Sequence, residues 1–394
     1  MGRQGAGHVR YLMGKLRAEE LNTWEVAHEL GLSTRRVRQL YHSYLQDCAQ
    51  GAEDAWGPGT SGGRNRSRIP ELVVALWRKM LGVKPPAPYA FCASEALRLH
   101  QFITDRATVR RWAVARGCAH GGPPKRKSSG AIRRWQCAEV GALWQLDATP
   151  HRWFGEQGEL YPLLDMVDDC SRVIVGAQLY PHECLLAYMD FLPRAFEEYG
   201  LPLALYVDHH SFFFSKIPDN LTYLGEALRR YDVTLKHAPT PEAKGKIERQ
   251  HQFWQNRLPS FFATHGIGQI DGANPPLDDL RHHHNAEELH REIQMTPDHA
   301  WRKAKREGRY LVRPCRKDSW WKYIWSVRQR VRVGLDGSVN LDGVKIKLGP
   351  RSNSWALRCD HPDGTVSFLA NDPGSGGKPF LLYSLKRNQP LWTI

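Results

Sequence analysis

The sequence predicts a multidomain α+β protein with helical modules first, an α/β core with a mixed five-stranded sheet in the middle, and a small β-barrel last. Three observations support this prediction. Helix-period patterns dominate residues 8–50 and 69–117, and short apolar runs alternate with helical patterns from residue 142 to residue 263. After residue 325, alternating strand patterns are separated by Asp-Gly turns. With 394 residues, the chain is long enough for two to four domains.

Charge and composition indicate which kind of binding partner and which cellular compartment to expect for this protein. Lys and Arg together number 55 against 41 for Asp and Glu, which favours a polyanion such as nucleic acid, with a merely basic soluble protein as the alternative. No run of eighteen apolar residues is present, so we expect no membrane span. The first residues lack the apolar core of a signal peptide, and the eight cysteines form no C-x-x-C pair. We therefore expect a reducing cytoplasm, without a disulfide framework or zinc site.

Residues 1–50 have the layout of a helix-turn-helix DNA-binding domain. Thr23 and Ser33 are placed to cap two helices, and Gly31 is placed to end the first. An arginine cluster lies near the start of the second helix, where a recognition helix meets base edges and phosphates. Its members are Arg35, Arg36 and Arg38. A helical hairpin with a solvated basic face is the alternative.

The next three segments predict two linkers and a second module. Residues 51–68, rich in Gly, Ser and Arg, predict a flexible basic linker. Residues 69–118 are helical and predict a second, helix-turn-helix-like DNA-binding domain, which suits a composite DNA site because tethering raises the effective concentration of the second contact. Residues 119–139 predict a basic linker that neutralises phosphates, with incidental solvated charge as the alternative. Its candidate DNA contacts are Lys125, Arg126, Lys127, Arg133 and Arg134.

Residues 140–265 predict strands and helices in the order β-β-β-α-β-α-β-α. Asp147 and Asp208 end two apolar runs that are typical of buried strands, and Glu248 opens a predicted helix. If the first and fourth strands pair, the two aspartates lie on adjacent strands. Three converging carboxylates repel one another unless a cation lies among them, and magnesium is the hard cation that suits oxygen ligands. The acids of the 168–171 segment are interpreted as turn formers rather than ligands.

Four motifs define this segment more closely: Trp144-Gln-Leu-Asp147, Asp168-Asp-Cys-Ser-Arg172, Val207-Asp-His-His-Ser-Phe-Phe213 and Pro239-Thr-Pro-Glu-Ala-Lys-Gly-Lys-Ile-Glu-Arg249. Together they resemble the catalytic core of retroviral integrases and of the DDE transposases of bacterial insertion sequences, which has a ribonuclease H-like fold. The resemblance implies that Asp147, Asp208 and Glu248 are the catalytic and metal-binding residues. Two features depart from the family pattern. His209 replaces a frequent Asn, and a long interval precedes Glu248, where the surplus fits a loop at 215–220.

The resemblance implies phosphoryl transfer with two Mg²⁺ ions, for which Mn²⁺ is a substitute. Ions roughly 3.5–4 Å apart would clamp one phosphate, with Asp147 bridging both and Asp208 and Glu248 holding one each. Such a site frees a 3′-OH by hydrolysis and then joins that end to target DNA. Basic residues near Glu248 are predicted phosphate contacts, with helix solubility as the alternative. They are Lys244, Lys246 and Arg249.

The function that the resemblance implies is a DNA transposase acting on double-stranded DNA. It would bind the terminal inverted repeats of its element as a homo-multimer, in the bacterial cytoplasm on the nucleoid. A nuclease of the same fold that does not join ends, and a domesticated DNA-binding regulator without catalysis, are the alternatives. Residues 266–310 are expected to form a helical connector, and residues 311–394 the C-terminal β-barrel.

Overall fold

In a computed structural model of the chain, the described residues are 5–51, 56–58, 69–120, 136–208, 212–213, 222–237, 245–349 and 354–387. Several sequence predictions therefore lie outside the described residues. These are most of the 51–68 linker, the departure at His209, the loop at 215–220 and six of the candidate DNA contacts. The six are Lys125, Arg126, Lys127, Arg133, Arg134 and Lys244.

The helices are α1 (Ala6–Arg17), α2 (Thr23–Leu30), α3 (Thr34–Ala49), α4 (Glu71–Gly82), α5 (Tyr89–His100), α6 (Arg106–Ala115), α7 (Leu185–Tyr199), α8 (Tyr223–Arg230), α9 (Gly245–His265), α10 (Asn274–Glu287), α11 (Pro297–Arg306) and α12 (Trp321–Ile324). The strands are β1 (Trp144–His151), β2 (Tyr161–Asp168), β3 (Ile174–Leu179), β4 (Ala204–Val207), β5 (Thr234–His237), β6 (Val327–Arg332), β7 (Ser338–Leu341), β8 (Val344–Lys347), β9 (Trp355–Asp360), β10 (Thr365–Leu369) and β11 (Leu381–Lys386). None of the helices in the described ranges is long and apolar enough to cross a membrane.

Helices α1 to α3 form the N-terminal module. Gly31 ends α2 in the left-handed conformation, and the Ser33 side chain caps α3, as predicted. The cap of α2 is Asn22, which forms a capping box with Glu25, whereas Thr23 is buried one position later. Trp56 is buried in the core of this module. Trp56, which lies within the predicted 51–68 linker, therefore packs onto the first module.

The central sheet has the strand order β3-β2-β1-β4-β5. The β1–β2 and β2–β3 pairs are antiparallel, and the β1–β4 and β4–β5 pairs are parallel. The predicted mixed five-stranded sheet, with the first and fourth strands adjacent, is confirmed. Because β1 and β4 are parallel, residues that follow the same register along both strands lie side by side near one edge of the sheet.

Helices cover both faces of the sheet, as the nearly continuous apolar character of β2 and β4 indicates. On one face, α7 and α8 pack through a cluster that includes Phe196 and Leu224. On the other face, α9 and α10 pack through a cluster that includes Trp254 and Leu277. Helices α4 to α6 belong to the second cluster, through residues such as Trp77. The predicted 69–118 module therefore shares a hydrophobic core with the α/β core.

The C-terminal segment is strand-rich, as predicted. Strands β11-β10-β9-β6 form a four-stranded antiparallel sheet, and β7 and β8 form a separate two-stranded ribbon. The two share a small hydrophobic cluster that includes Val339 and Phe368. Because the described strands do not join in one continuous sheet, the predicted small β-barrel is not confirmed. Trp321 and Trp325 attach the segment to the cluster of α7 and α8.

Candidate active site

Asp147 and Asp208 lie near each other where β4 ends beside β1, the central strand of the sheet. Asp147 is within β1, and Asp208 directly follows β4. The parallel register pairs Trp144 with Leu205 and Gln145 with Tyr206. The same register, continued two residues along both strands, places Asp208 next to Asp147. Asp147 is half-buried and Asp208 is exposed, so both carboxylates are accessible from solvent.

The electrostatic environment of Tyr188 supports this placement. Burial is the main cause that raises the pKa of its hydroxyl well above the usual range, and Glu183 is the second. The charges of Asp147 and Asp208 both add to the rise in that pKa. Since the α7 phenol responds to both carboxylates, the two acids occupy one region of negative charge.

The alternation of side chains along β1 decides which helix Asp147 faces. Trp144 and Leu146 point into the cluster of α7 and α8. Successive strand residues point to opposite faces, so Gln145, Asp147 and Thr149 face the side of the sheet that α9 covers. Asp147 therefore lies on the same side of the sheet as the helix that carries Glu248.

Glu248 lies in the first turn of α9, which runs alongside β1. Near the start of the helix, Lys246 Nζ donates to Asp169 at 2.5 Å, and further along Gln255 Nε2 donates to Thr149 Oγ1 at 3.0 Å. Glu248 lies between these two anchor points. It precedes Gln255 by seven residues, which is close to two helical turns, so both side chains lie on the flank of α9 that faces β1. Glu248 is exposed on that flank.

The three acids fit a magnesium site in the type of ligand they provide. Carboxylate oxygens are the ligands that Mg²⁺ prefers, and two of the three belong to β1 and to the residue that follows the adjacent parallel strand β4. Among the described residues, no three Asp, Glu, His or Cys side chains already lie close enough to hold an ion together. Asp147 and Asp208 thus lie near each other, whereas Glu248 lies on the adjoining helix α9. In the described residues, the three carboxylates are not close enough to bind one ion together.

Asp165 is a buried acid of this region that the motifs did not single out. It is the cross-strand neighbour of Asp147 on β2 and is fully buried. Burial raises the pKa of the Asp165 carboxyl well above its usual range, and the charge of Asp147 adds to the rise. Trp254 Nε1 of α9 donates to its Oδ2 at 3.1 Å, which holds the middle of α9 against β2. An aspartate inside the apolar run 161–167 was the available sequence signal.

Asp168, the last residue of β2, and Asp169, which follows it, were both predicted to be turn formers, but only the Asp168 side chain closes the turn. Asp168 closes the turn by accepting hydrogen bonds from Ser171 and from the Gly141 N–H. Asp169 is also fully buried, and it accepts a hydrogen bond from Lys246. The Lys246 side chain is only 14% exposed, and its ammonium is engaged inside the protein. This placement argues against the predicted phosphate contact of Lys246.

The other described candidates for DNA contact differ in exposure. Arg35 and Arg36 are exposed at the start of α3. Arg38 is partly buried and donates to the Gln294 side chain, so it faces the protein in this arrangement. Arg249 is exposed next to Glu248 and forms an ion pair with Glu292. Arg35, Arg36 and Arg249 therefore keep a surface that a phosphate backbone could contact.

Helix α6 presents a second arginine cluster that the sequence analysis missed. Its exposed members are Arg106, Arg110 and Arg111. Burial acts to raise the pKa of the Asp105 carboxyl, which caps α6, but hydrogen bonds from Thr108 and the charges of Arg111 and Arg35 outweigh it and lower that pKa. Since Arg35 belongs to α3, the starts of α3 and α6 lie near each other. The spacing of these arginines in the 106–111 segment was the signal that could have revealed them.

The chain is similar in sequence to two transposases. No protein-family model matches the sequence. The chain is 27% identical over 300 residues to the candidate transposase y4bF of Sinorhizobium fredii (strain NBRC 101917 / NGR234), which covers 72% of this chain and 65% of that protein. It is 33% identical over 142 residues to the transposase for insertion sequence IS1202 of Streptococcus pneumoniae, which covers 34% of this chain and 30% of that protein. The chain thus spans less than two thirds of the length of each relative.

Among solved structures, the chain is similar to the intasome of simian T-cell lymphotropic virus in complex with PP2A regulatory subunit B56 gamma, with 17% identity and a TM-score of 0.38 over 76% of this chain and 96% of that chain. It is also similar to the HTLV-2 integrase catalytic core domain in complex with magnesium, with 18% identity and a TM-score of 0.33 over 42% of this chain and 97% of that chain. Both TM-scores lie below 0.5. The predicted resemblance to transposases of insertion sequences is confirmed by the two sequence relatives.

Proposed function

We propose that this protein is a DNA transposase of the DDE type. It would cut DNA at the terminal inverted repeats of its element and join the freed 3′-OH ends to target DNA. The observation that carries the proposal is the parallel pairing of β1 and β4, which supports a site in which Asp147 of β1 and Asp208 after β4 act together. The similarity to two transposases supports the reaction class.

In this proposal, Asp147, Asp208 and Glu248 hold Mg²⁺. Divalent ions bound there would activate the attacking oxygen of a water or 3′-OH and stabilise the leaving oxygen of a phosphodiester. The chain itself provides the placement. The paired strands β1 and β4 carry the two aspartates or lead directly to them, and the Trp254–Asp165 hydrogen bond holds α9 over β2. The exposure of Asp208 and Glu248 leaves room for a phosphodiester to approach from solvent.

DNA would be bound by a composite basic surface made by the starts of α3 and α6. It consists of Arg35, Arg36, Arg106, Arg110 and Arg111. Phosphate contacts of this kind supply affinity that does not depend on sequence, whereas contacts to base edges select the inverted repeat. Arg249 would contact a phosphate near the reacting bond. The basic residues of the second linker and Lys244 are proposed as further phosphate contacts from their composition, and action as a homo-multimer is part of the same proposal.

A strand-transfer assay tests the proposal. The purified protein is mixed with Mg²⁺, a plasmid and a pre-cut DNA end that carries the 3′-OH of the element's inverted repeat. We expect joined product with the natural sequence and none with Asp147→Asn or Asp208→Asn, while binding of the DNA end stays within about twofold because phosphate contacts lie elsewhere. Asp232→Asn is the matched control, since Asp232 is a surface acid beyond α8 whose side chain is 88% exposed.

The outcomes of this assay separate the alternatives. Hydrolysis of the DNA without joining would contradict the transposase proposal and favour a nuclease. Binding of the end without either reaction would favour a DNA-binding regulator. Equal joining by the natural protein and Asp147→Asn would remove Asp147 from the active site.

A further inference from the structure

Asp169 is a buried carboxylate that the proposed chemistry does not use. Its Oδ1 accepts hydrogen bonds from Gln145 Nε2 at 2.7 Å and from Lys246 Nζ at 2.5 Å. Its Oδ2 accepts a hydrogen bond from the backbone N–H of Cys137 at 2.7 Å. The side chain is 0% exposed, so Asp169 has no surface to offer to DNA. Asp169 can therefore affect the site only through the residues that donate hydrogen bonds to it.

Two of these partners, Gln145 and Lys246, each lie two residues before a proposed catalytic acid. Gln145 precedes Asp147 by two residues on β1, so both side chains point to the same face of the strand. Lys246 precedes Glu248 by two residues and belongs to the same first turn of α9. A single oxygen atom of Asp169 therefore connects the strand that carries Asp147 to the helical turn that carries Glu248.

We propose that Asp169 is a positioning residue that holds the first turn of α9 against β1, and thereby keeps Glu248 in place opposite Asp147. The catalytic meaning of this inference rests on the proposed function. A first helical turn needs such an anchor because its N–H groups have no partners within the helix and helix ends fray. Glu248 is exposed in that turn, so its position depends on the anchors beside it. A displacement of about 1 Å in a catalytic group can cost about a hundredfold in rate.

A second contact also reaches the first turn of α9, but it is weaker. Arg249 forms an ion pair with Glu292, and their side chains are 51% and 30% exposed. Water screens a pair with this exposure, whereas the Lys246–Asp169 pair is shielded, with side chains 14% and 0% exposed. The buried pair is therefore the stronger anchor. Glu292→Gln provides a comparison that removes the exposed contact, together with the ion pair between Glu292 and Arg172, and leaves the Lys246–Asp169 pair in place.

The main test compares Asp169→Asn with Asp168→Asn in the full chain. Asp168 is the adjacent residue and is equally buried, but its side chain binds Gly141 and Ser171 rather than Gln145 or α9. For Asp169→Asn we expect joining at saturating DNA to slow by about a hundredfold, with the Kd for the DNA end changed by no more than about twofold. For Asp168→Asn and Glu292→Gln, the rate per folded molecule is expected to stay within about threefold of the natural protein, because the buried anchor is intact.

Hydrogen exchange supplies a readout that does not need activity. In protein without metal or DNA, Asp169→Asn is expected to speed amide exchange at residues 249–251 by about tenfold or more, because their N–H groups bond carbonyls of the first turn of α9, which opens more often. The Asp168→Asn variant is expected to leave exchange in this segment unchanged. Unchanged exchange in Asp169→Asn would overturn the inference.

A double variant separates positioning from stability. Asp169→Asn with Lys246→Met removes both buried charges, which restores much of the lost stability because no unpaired charge stays buried. The connection to β1 is still missing, so joining should remain slow and amide exchange at residues 249–251 fast. Recovery of stability, joining and slow exchange together would show a merely structural role. If the natural protein does not join DNA at all, the proposed function fails, while the exchange measurement still decides whether Asp169 anchors α9.

Discussion

At the scale of single residues, burial divides the core aspartates into two kinds. Asp147 and Asp208 keep access to solvent, whereas Asp165, Asp168 and Asp169 are each 0% exposed. A carboxylate that reaches solvent can meet a phosphodiester and a cation, while a buried one must be satisfied by donors of the protein itself. In the sequence, each of these five aspartates follows or interrupts an apolar run, so the pattern alone does not distinguish them. Their different chemistry comes from their different burial in the fold.

Glu288 is the residue for which we predict the clearest effect on stability. It accepts hydrogen bonds from Ser94 and Arg257, both at 2.7 Å, and lies 3.0 Å from His284 Nδ1, so it connects α5, α9 and α10. Burial acts to raise the pKa of its carboxyl, but the positive charge of Arg257 and the hydrogen bond with His284 outweigh it and hold that pKa well below its usual range. We expect Glu288→Gln to lower the free energy of unfolding by about 3 kcal/mol at pH 7, because Arg257 loses its partner.

The sign of the pH dependence follows from the lowered pKa. The ionised Glu288 stabilises the fold above the ordinary carboxyl pKa of about 4.3, and this contribution is lost as the pH falls through the lower pKa of the folded state. The difference between the natural protein and Glu288→Gln should therefore shrink in acid, as urea unfolding at several pH values would measure. Glu287→Gln, on the exposed neighbour, should stay within about 0.5 kcal/mol. Identical urea midpoints for both variants would contradict the prediction.

At the scale of elements, α3 and α6 are related in a way that neither helix reveals alone. Each begins with a side-chain cap, from Ser33 and Asp105, and each presents exposed arginines near that end. Arg35 lies close enough to Asp105 for its charge to help lower the pKa of that carboxyl. In the proposed function, the arginines at the two helix starts would therefore contribute to one basic surface that contacts DNA.

The salt dependence of DNA binding tests the contribution of α6. We expect Arg110→Ala with Arg111→Ala to reduce the slope of log K against log salt by about 2, because two phosphate contacts are lost. Binding should weaken about equally for the element end and for random DNA. Fluorescence anisotropy across a range of NaCl concentrations measures both quantities. Lys79→Ala on α4 removes an exposed charge from another helix and should leave the slope unchanged; an equal change in both variants would refute a specific role for α6.

At the scale of the whole molecule, hydrophobic packing does not follow the predicted domain boundaries. Phe91 of α5 packs against Phe261 of α9, with ring centroids 6.3 Å apart. Trp325 of the C-terminal segment packs against Phe196 of α7, with ring centroids 5.8 Å apart. Both faces of the α/β core are thus completed by residues outside the predicted 140–265 domain.

This packing predicts that residues 140–265 do not fold stably when expressed alone. Removal of the flanking segments would expose large apolar side chains such as Trp254 and Phe196, which leaves a surface prone to association. We expect this fragment to bind the dye ANS strongly and to lack near-ultraviolet circular dichroism. A fragment of residues 69–387 keeps both packing partners and should unfold in a cooperative transition. A monomeric, cooperatively unfolding 140–265 fragment would show that the flanking segments are dispensable.

The sequence by itself determined the type and order of the core elements and the three acids proposed for catalysis. The period of apolar residues distinguishes strands from helices, and caps and turn residues such as Ser33 and Gly31 act within a few positions of the chain. The motifs around Asp147, Asp208 and Glu248 are contiguous, so they can be recognised without coordinates. The adjacency of the first and fourth strands needed only the assumption that the two pair.

Tertiary structure alone decided how these pieces are held and what each charge contacts. The sequence placed Lys246 beside Glu248 as a phosphate contact, whereas the fold buries its ammonium against Asp169. It also suggested a small β-barrel, where the described strands form a sheet and a separate ribbon. The physical reason is the same in both cases. Local propensities act between near neighbours in the chain, while buried ion pairs and sheet closure depend on segments far apart in sequence, whose approach is set by the packing of the whole molecule.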